Sequence, residues 1–213
     1  MAPFTHPISF VKEAAPLAHL CWKMGWNEAN GGNFSWRLPR EEIEAILTRH
    51  YPELAAGEPV PLPIDEPELD GEYFLVTGSG QFFRHALEKP NQVFGIVRIT
   101  EGGTAWQKCW GFSSGAKPTS EFATHLVAHA IRKRVSDGRE RMILHCHPPD
   151  FVALSFLEPL DTRRLTRLLW EKMPECIVIF PDGVRVVPLL LPGTVEIAQA
   201  SSVELEHSRV ISW

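Results

Sequence analysis

Phe10, Ala14, Leu17, Cys21 and Met24 recur at helical spacing, which predicts a first amphipathic helix over residues 8–24 that stops at Gly25. A shorter helix is predicted over 40–48, and the following stretch to Glu72, rich in proline and acid, reads as an excursion rather than a linker. Apolar and β-branched runs at 73–77, 93–99 and 104–110 predict strands, with Glu101-Gly102-Gly103 turning the chain between the last two. Phe122, Ala123, Leu126, Val127, Ala130 and Ile131 form the buried stripe of a helix predicted from Thr119 to Val135, closing at Ser136-Asp137-Gly138. Helices at 149–156, 161–172 and 194–206 follow. So do strands at 176–180 and 184–190, joined by Pro181-Asp182-Gly183, and a last strand from Arg209. The pattern predicts an α/β chain whose central sheet is layered with helices, folded as a single domain over residues 1–213.

Between the helix at 119–135 and the one at 149–156 lies Arg-Met-Ile-Leu-His-Cys-His, residues 141–147. On a strand, alternate side chains share a face, so His145 and His147 point together while Leu144 and Cys146 turn towards packing. Two imidazoles can then reach one cation. Pro148 and Pro149 supply no ladder donors, so the strand ends there and leaves the histidines at its carboxyl edge, where α/β sheets place ligands. Taken alone, His-x-His is short, and two half-exposed histidines at a strand end are its commoner meaning.

Composition narrows the partners. The formal charge of -5, with signs mixed along the chain, gives no basic footprint for nucleic acid. No apolar run approaches the length of a membrane span, and the N-terminus lacks a basic stretch followed by an apolar one, so the expected location is the cytoplasm. Cys21, Cys109, Cys146 and Cys176 sit in apolar segments without paired spacing and read as reduced core thiols.

Three polar segments have the composition of an anion site. Asn30-Gly31-Gly32-Asn33 sets two glycines between amides, which lets backbone N–H groups approach an anion. Thr77-Gly78-Ser79-Gly80 follows a strand, and Pro118-Thr119-Ser120-Glu121 is read as the start of the long helix, with hydroxyls where free N–H groups favour negative charge. Each segment alone is equally explained by turn chemistry. Glu121 directly follows the hydroxyls. A carboxylate there could remove a proton α to a metal-polarised carbonyl, although an acid at a helix start is ordinarily a dipole partner. His125 and His129 continue from it at i+4 spacing and are read as packed rather than metal-bound.

Taken together and in order, Asn-Gly-Gly-Asn-Phe-Ser at 30–35, Val-Thr-Gly-Ser-Gly-Gln-Phe-Phe-Arg at 76–84, Pro-Thr-Ser-Glu at 118–121, His-Cys-His at 145–147, Glu-Cys-Ile-Val-Ile-Phe-Pro-Asp-Gly-Val at 175–184 and Leu-Pro-Gly-Thr-Val-Glu-Ile at 191–197 resemble the class II, zinc-dependent aldolases of the adducin-like superfamily. The branch that cleaves rhamnulose 1-phosphate is the nearest. The resemblance covers nearly the whole chain. It implies a three-layer α/β/α fold around a largely antiparallel sheet, a homotetramer with active sites between neighbours, and reversible retro-aldol cleavage of L-rhamnulose 1-phosphate to dihydroxyacetone phosphate and L-lactaldehyde. By the same match His145 and His147 would bind Zn2+, and Asn30, Gly31, Asn33, Ser79, Gly80, Thr119 and Ser120 would hold the phosphate of a small phosphorylated ketose. Glu121 would exchange the substrate proton, and Glu175 would act in a neighbour's site.

The family's third histidine ligand lies in a Pro-x-His-Gly segment after the final strand, whereas this sequence runs to Val210-Ile211-Ser212-Trp213. His207 precedes that strand and aligns outside the metal site. The expectation is therefore a zinc site that is empty, partly occupied or completed by solvent, and low activity for the isolated chain. Two other functions within the superfamily are weighed against aldol cleavage. A sugar-phosphate 4-epimerase is disfavoured by Pro-Thr-Ser-Glu and Glu175, and a non-catalytic adducin-like assembly module by the retained His-x-His and both glutamates.

Overall fold

The computed structural model describes residues 4–157 and 161–213. Its contacts divide it into two compact units, one running to Ser120 and including Arg141–Pro149, the other made of Glu121–Glu140 and Asp150–Trp213. The fold is mixed α/β with an antiparallel central sheet.

In the first unit, β1 (Asn33–Leu38), β2 (Val60–Pro61), β3 (Tyr73–Thr77), β4 (Phe94–Thr100), β5 (Ala105–Gly111) and β6 (Met142–His145) form a sheet in the order β2-β5-β4-β3-β1-β6. Every pairing in it is antiparallel. The alternation of Asn-Phe-Ser-Trp-Arg-Leu explains why β1 can sit inside it. Phe34, Trp36 and Leu38 join Tyr73, Leu75, Phe94, Ile96 and Trp110 in one apolar core. Asn33, Ser35 and Arg37, buried but polar, take the opposite face. The core is closed by α1 (Ser9–Lys23) and by Ile43 of α2 (Arg40–His50). Each fully buried Leu, Ile or Phe there contributes roughly 1.5–3 kcal/mol by leaving water.

Helix α1 buries Phe10, Val11, Ala14, Ala15, Ala18 and Cys21, while Leu17 and Met24 of the expected stripe are exposed. The alanines flatten that face and let the helix lie close to the sheet, so small residues, not the larger leucines, mark the contact. The expected turn at 101–103 joins β4 to β5, with Glu101 and Gly102 at positive φ (55° and 70°), and α3 (Pro90–Val93) leads into β4.

The second unit contains α4 (Phe122–Val135), α5 from Asp150 onward (Pro149–Leu157), α6 (Thr162–Lys172), α7 (Glu175–Ile179), β7 (Val184–Val186), α8 (Val195–Leu205) and β8 (Val210–Ser212). Helix α4 packs on α8, and β7 pairs with β8 in parallel. The strand expected at 176–180 is instead α7. Pro174 stands at its start in the αR region and Glu175 in its first turn, so a five-residue apolar run whose period is ambiguous is set by the proline-led helix start. The strand expected over 184–190 shortens to β7, whose partner β8 is equally brief. Thr194 caps α8 through its side chain, accepting from Ile197 N–H.

Candidate functional site

Antiparallel pairing brings the polar segments of the first unit to one end of its sheet. β1 begins at Asn33, whereas its two neighbours end there, β3 at Thr77 and β6 at His145, which is the Cα partner of Asn33. The Thr77 hydroxyl ties the first two together, accepting from Phe34 N–H at 2.9 Å and donating to Phe34 C=O at 3.1 Å. Beyond β3, Gly78 forms a β-bridge with Pro118, Ser79 N–H donates to Lys117 C=O, and Thr119 N–H donates to Thr77 C=O at 2.9 Å. The segments at 30–33, 77–80, 118–120 and 145–147 thus share one edge. Ser79, Gly80 and Ser120 are exposed there and Thr119 is buried.

This arrangement changes the reading of 118–121. Pro118 and Thr119 extend the sheet rather than open the helix, so the Thr119 N–H is already bonded within the sheet. Helix α4 starts only at Phe122, with Glu121 at its N-cap. His125 and His129 are buried in α4. Glu175, in the first turn of α7, is exposed beside the exposed Ile177, Val178 and Ile179.

His145 and His147 lie with their rings 4.8 Å apart and their Nε2 atoms 3.1 Å apart. Two nitrogens bound tetrahedrally at the usual zinc–nitrogen length of about 2.0–2.1 Å stand about 3.3 Å from one another, so the pair sits close to the spacing a shared divalent ion requires. The alternation along β6 sends Met142 and Leu144 to the face of Phe34 and Trp36, opposite His145. They remain 44% and 40% exposed, because β6 is the edge strand and has a neighbour on one side only. The strand ends at His145, not at Pro148, and His147 is held instead by the connection after α1: its N–H donates to Trp26 C=O at 2.7 Å.

That connection supplies two residues that sequence reasoning passed over. Asn27 is buried and its Nδ2 donates to the carbonyls of Gly31 (3.2 Å) and His145 (3.4 Å), which ties the turn to the end of β6. Glu28 places a carboxylate oxygen 2.9 Å from Nδ1 of His147. The hydrogen bond from His147 holds the Glu28 carboxyl below its ordinary value, against a smaller opposing effect of burial. Gly31 and Gly32, read from sequence as openings for an anion, have another use in the fold. A Cβ on Gly31 would lie 2.8 Å from the Glu28 carboxylate, and one on Gly32, at φ 72°, would lie 1.9 Å from Asn27 Nδ2 and 2.6 Å from the His145 carbonyl. The glycines make room for Asn27 and Glu28. No spacing in the sequence links residue 28 to residue 147, and the only cue is an amide and an acid standing four and three residues before Gly31.

On the other ring, Asn33 Nδ2 lies 3.5 Å from Nδ1 of His145. Among the described residues no three or more His, Cys, Asp or Glu side chains converge as a metal site. The Glu28 carboxylate meets His147 at the nitrogen remote from the facing Nε2 atoms. The donor set these residues present is therefore a pair of imidazole Nε2 atoms, which fits a borderline divalent ion with positions left for solvent or substrate.

Residues 12–213 match the family model described as Class II Aldolase and Adducin N-terminal domain. The chain is 37% identical over 204 residues to a rhamnulose-1-phosphate aldolase of Listeria monocytogenes serotype 4a (strain HCC23), covering 96% of this chain and 73% of the relative. It is 40% identical over 192 residues to the protein of that name from Yersinia pestis (strain Pestoides F), covering 90% and 69%. Among solved structures, a sugar-phosphate aldolase from Thermotoga maritima superposes with a TM-score of 0.77 at 27% identity, over 96% of this chain and 81% of that one.

Proposed function

The chain belongs to the class II aldolase and adducin N-terminal domain family, and from that premise we propose that it is a metal-dependent aldehyde-lyase that reversibly cleaves L-rhamnulose 1-phosphate to dihydroxyacetone phosphate and L-lactaldehyde. The observation that carries the reading is the convergence of the His145 and His147 Nε2 atoms at the sheet edge that also holds the 77–80 and 118–120 segments.

The family generally uses a divalent metal, and zinc suits an imidazole pair; when bound it supplies a Lewis acid that polarises the ketose carbonyl without redox chemistry. The remaining work falls to the chain's own groups. Asn30, Asn33, Ser79, Gly80, Thr119 and Ser120 hold the phosphate, and phosphate binding fixes the carbon chain of the ketose. Glu121 takes and returns the proton at the dihydroxyacetone phosphate carbon as the carbon–carbon bond breaks and re-forms. Glu175 serves a neighbouring subunit in a homotetramer. The exposed Ile177, Val178 and Ile179 beside it support burial of α7 against another copy. The reading carries a cytoplasmic location with it, and no described helix is long and apolar enough to cross a membrane.

The test is to supply zinc-loaded protein with L-rhamnulose 1-phosphate and follow dihydroxyacetone phosphate by its reduction with a coupled dehydrogenase, with L-ribulose 5-phosphate as a parallel substrate. Release from the first and no 4-epimer from the second is the expected outcome. Epimer formation without cleavage would overturn the assignment.

A further inference from the structure

We infer that Glu28 is a positioning residue that fixes the proton of His147 on Nδ1 and so keeps its Nε2 lone pair turned towards His145. The inference rests on the metal reading of the histidine pair and adds to it a residue outside the family motifs.

A carboxylate can only accept, so at 2.9 Å the Glu28 oxygen requires His147 Nδ1 to donate. A neutral ring with its proton on Nδ1 has its lone pair on Nε2, and that nitrogen faces Nε2 of His145 at 3.1 Å. Without a metal the short Nε2 to Nε2 contact takes one proton, supplied by His145, whose own Nδ1 then accepts from Asn33 Nδ2 at 3.5 Å. The order of donors is thus set along the whole line, from Asn33 through His145 and His147 to Glu28. A divalent ion between the rings would need the His145 Nε2 lone pair as well, so the His145 proton would move to Nδ1 and the Asn33 amide would turn its oxygen to accept it, while the Glu28 contact would be unchanged. Nδ1 and Nε2 diverge from one ring, so Glu28 at Nδ1 orients His147 without entering the coordination sphere.

The surrounding turn is built to keep the carboxylate there. Gly31 N–H donates to Glu28 C=O at 2.6 Å, and the missing side chain at Gly31 leaves space that the Glu28 carboxylate approaches. His147 is anchored from the same connection by Trp26 C=O, so both partners of the contact are held by residues 26–31. Glu28 is itself exposed, which limits its worth as an ion pair and leaves orientation as its main effect.

The experiment uses the full chain, unaltered and as Glu28→Ala and Glu28→Gln, with two readouts. Nitrogen-15 spectra of the metal-free protein at about pH 8.5, where imidazole is neutral, report the tautomer. Competition with a chromophoric chelator reports zinc affinity. The expected result is an Nδ1–H tautomer for His147 in the unaltered chain that shifts towards Nε2–H in Glu28→Ala. Zinc binding should weaken about 10- to 100-fold in Glu28→Ala, and less in Glu28→Gln, which keeps an oxygen acceptor. An unaltered chain that binds zinc equally well as Glu28→Ala, or whose His147 tautomer does not respond, would overturn the inference while leaving the metal reading intact. A Glu28→Ala loss as complete as that of His147→Ala would make Glu28 a ligand and overturn it too. No zinc binding by the unaltered chain would overturn the metal reading itself, and with it Glu28's part in metal binding.

Discussion

Asn33 stands opposite His145 across the antiparallel ladder of β1 and β6, so the last residue of the Asn-Gly-Gly-Asn motif and the first of His-Cys-His share one face of the sheet. The two motifs, far apart in sequence, are one local structure, and the absent side chain at Gly32 leaves room for Asn27 to join the turn to the His145 carbonyl.

Gly32→Ala is therefore expected to be costly. Its φ of 72° is disfavoured for alanine, and the added Cβ would displace both Asn27 Nδ2 and the His145 carbonyl. Urea unfolding should show a loss of about 2 kcal/mol or more. Gly80→Ala, with a similar φ of 70° but no atom within 4 Å of the new Cβ, should lose only about 1 kcal/mol. Equal losses at the two positions would show that the Asn27 contacts do not hold the turn.

In the second unit, Arg132 is the buried fastening of α4. Its Nη1 donates to the Leu205 carbonyl at 2.7 Å and to that of Ser208 at 3.4 Å, and its Nε meets Glu140 at 2.5 Å. Glu140 also pairs with Arg209 at 2.9 Å. Arg132→Leu leaves the Leu205 and Ser208 carbonyls without this donor and Glu140 with Arg209 alone, and is expected to cost about 2–4 kcal/mol in denaturant unfolding. A change within about 0.5 kcal/mol would mean that solvent replaces the guanidinium freely.

Burial pushes the Cys109 thiol up to about 11 and the Tyr73 phenol up to about 12, and it raises Cys21 and Cys146 as well. The folded chain thus keeps protons that the unfolded chain releases. Stability from these groups is complete below the unfolded values and is lost as pH rises from about 9 towards 12. Urea midpoints should fall across that window, and at about pH 8.5 a thiol reagent should modify Cys21, Cys109 and Cys146 far more slowly in native than in denatured protein. Equal rates would contradict the burial of these thiols.

Much of this was readable in the chain. Tyr73–Thr77 is a strand by pattern and in the fold because every residue in it is buried, and Gly102 and Gly138 mark the breaks around their elements. The candidate site was readable where one segment carries its own geometry, as in the i, i+2 spacing of His145 and His147. It was not readable where pairing decides. Thr119 looks like a helix start until its N–H is spent on Thr77, residues 176–180 look like a strand until Pro174 starts a helix, and Glu28 acquires meaning only when β6 brings His147 to it.

Glu121→Ala should lower turnover of L-rhamnulose 1-phosphate by about two orders of magnitude or more, the contribution of a positioned acid or base, while inhibition by a phosphate-bearing substrate analogue is retained. Steady-state kinetics with that analogue separate the two effects. Near-normal turnover would remove Glu121 from the chemistry.

The most direct test joins metal content to cleavage in one preparation. Zinc per chain and dihydroxyacetone phosphate release are measured for the unaltered protein, for the same protein after chelation and zinc return, and for His145→Ala and His147→Ala. The expected result is cleavage that disappears on chelation, returns with zinc, and is lost together with zinc binding in both variants. Cleavage that survives chelation, or variants that keep both zinc and activity, would contradict the assignment of the histidine pair as the seat of a metal-dependent aldol cleavage.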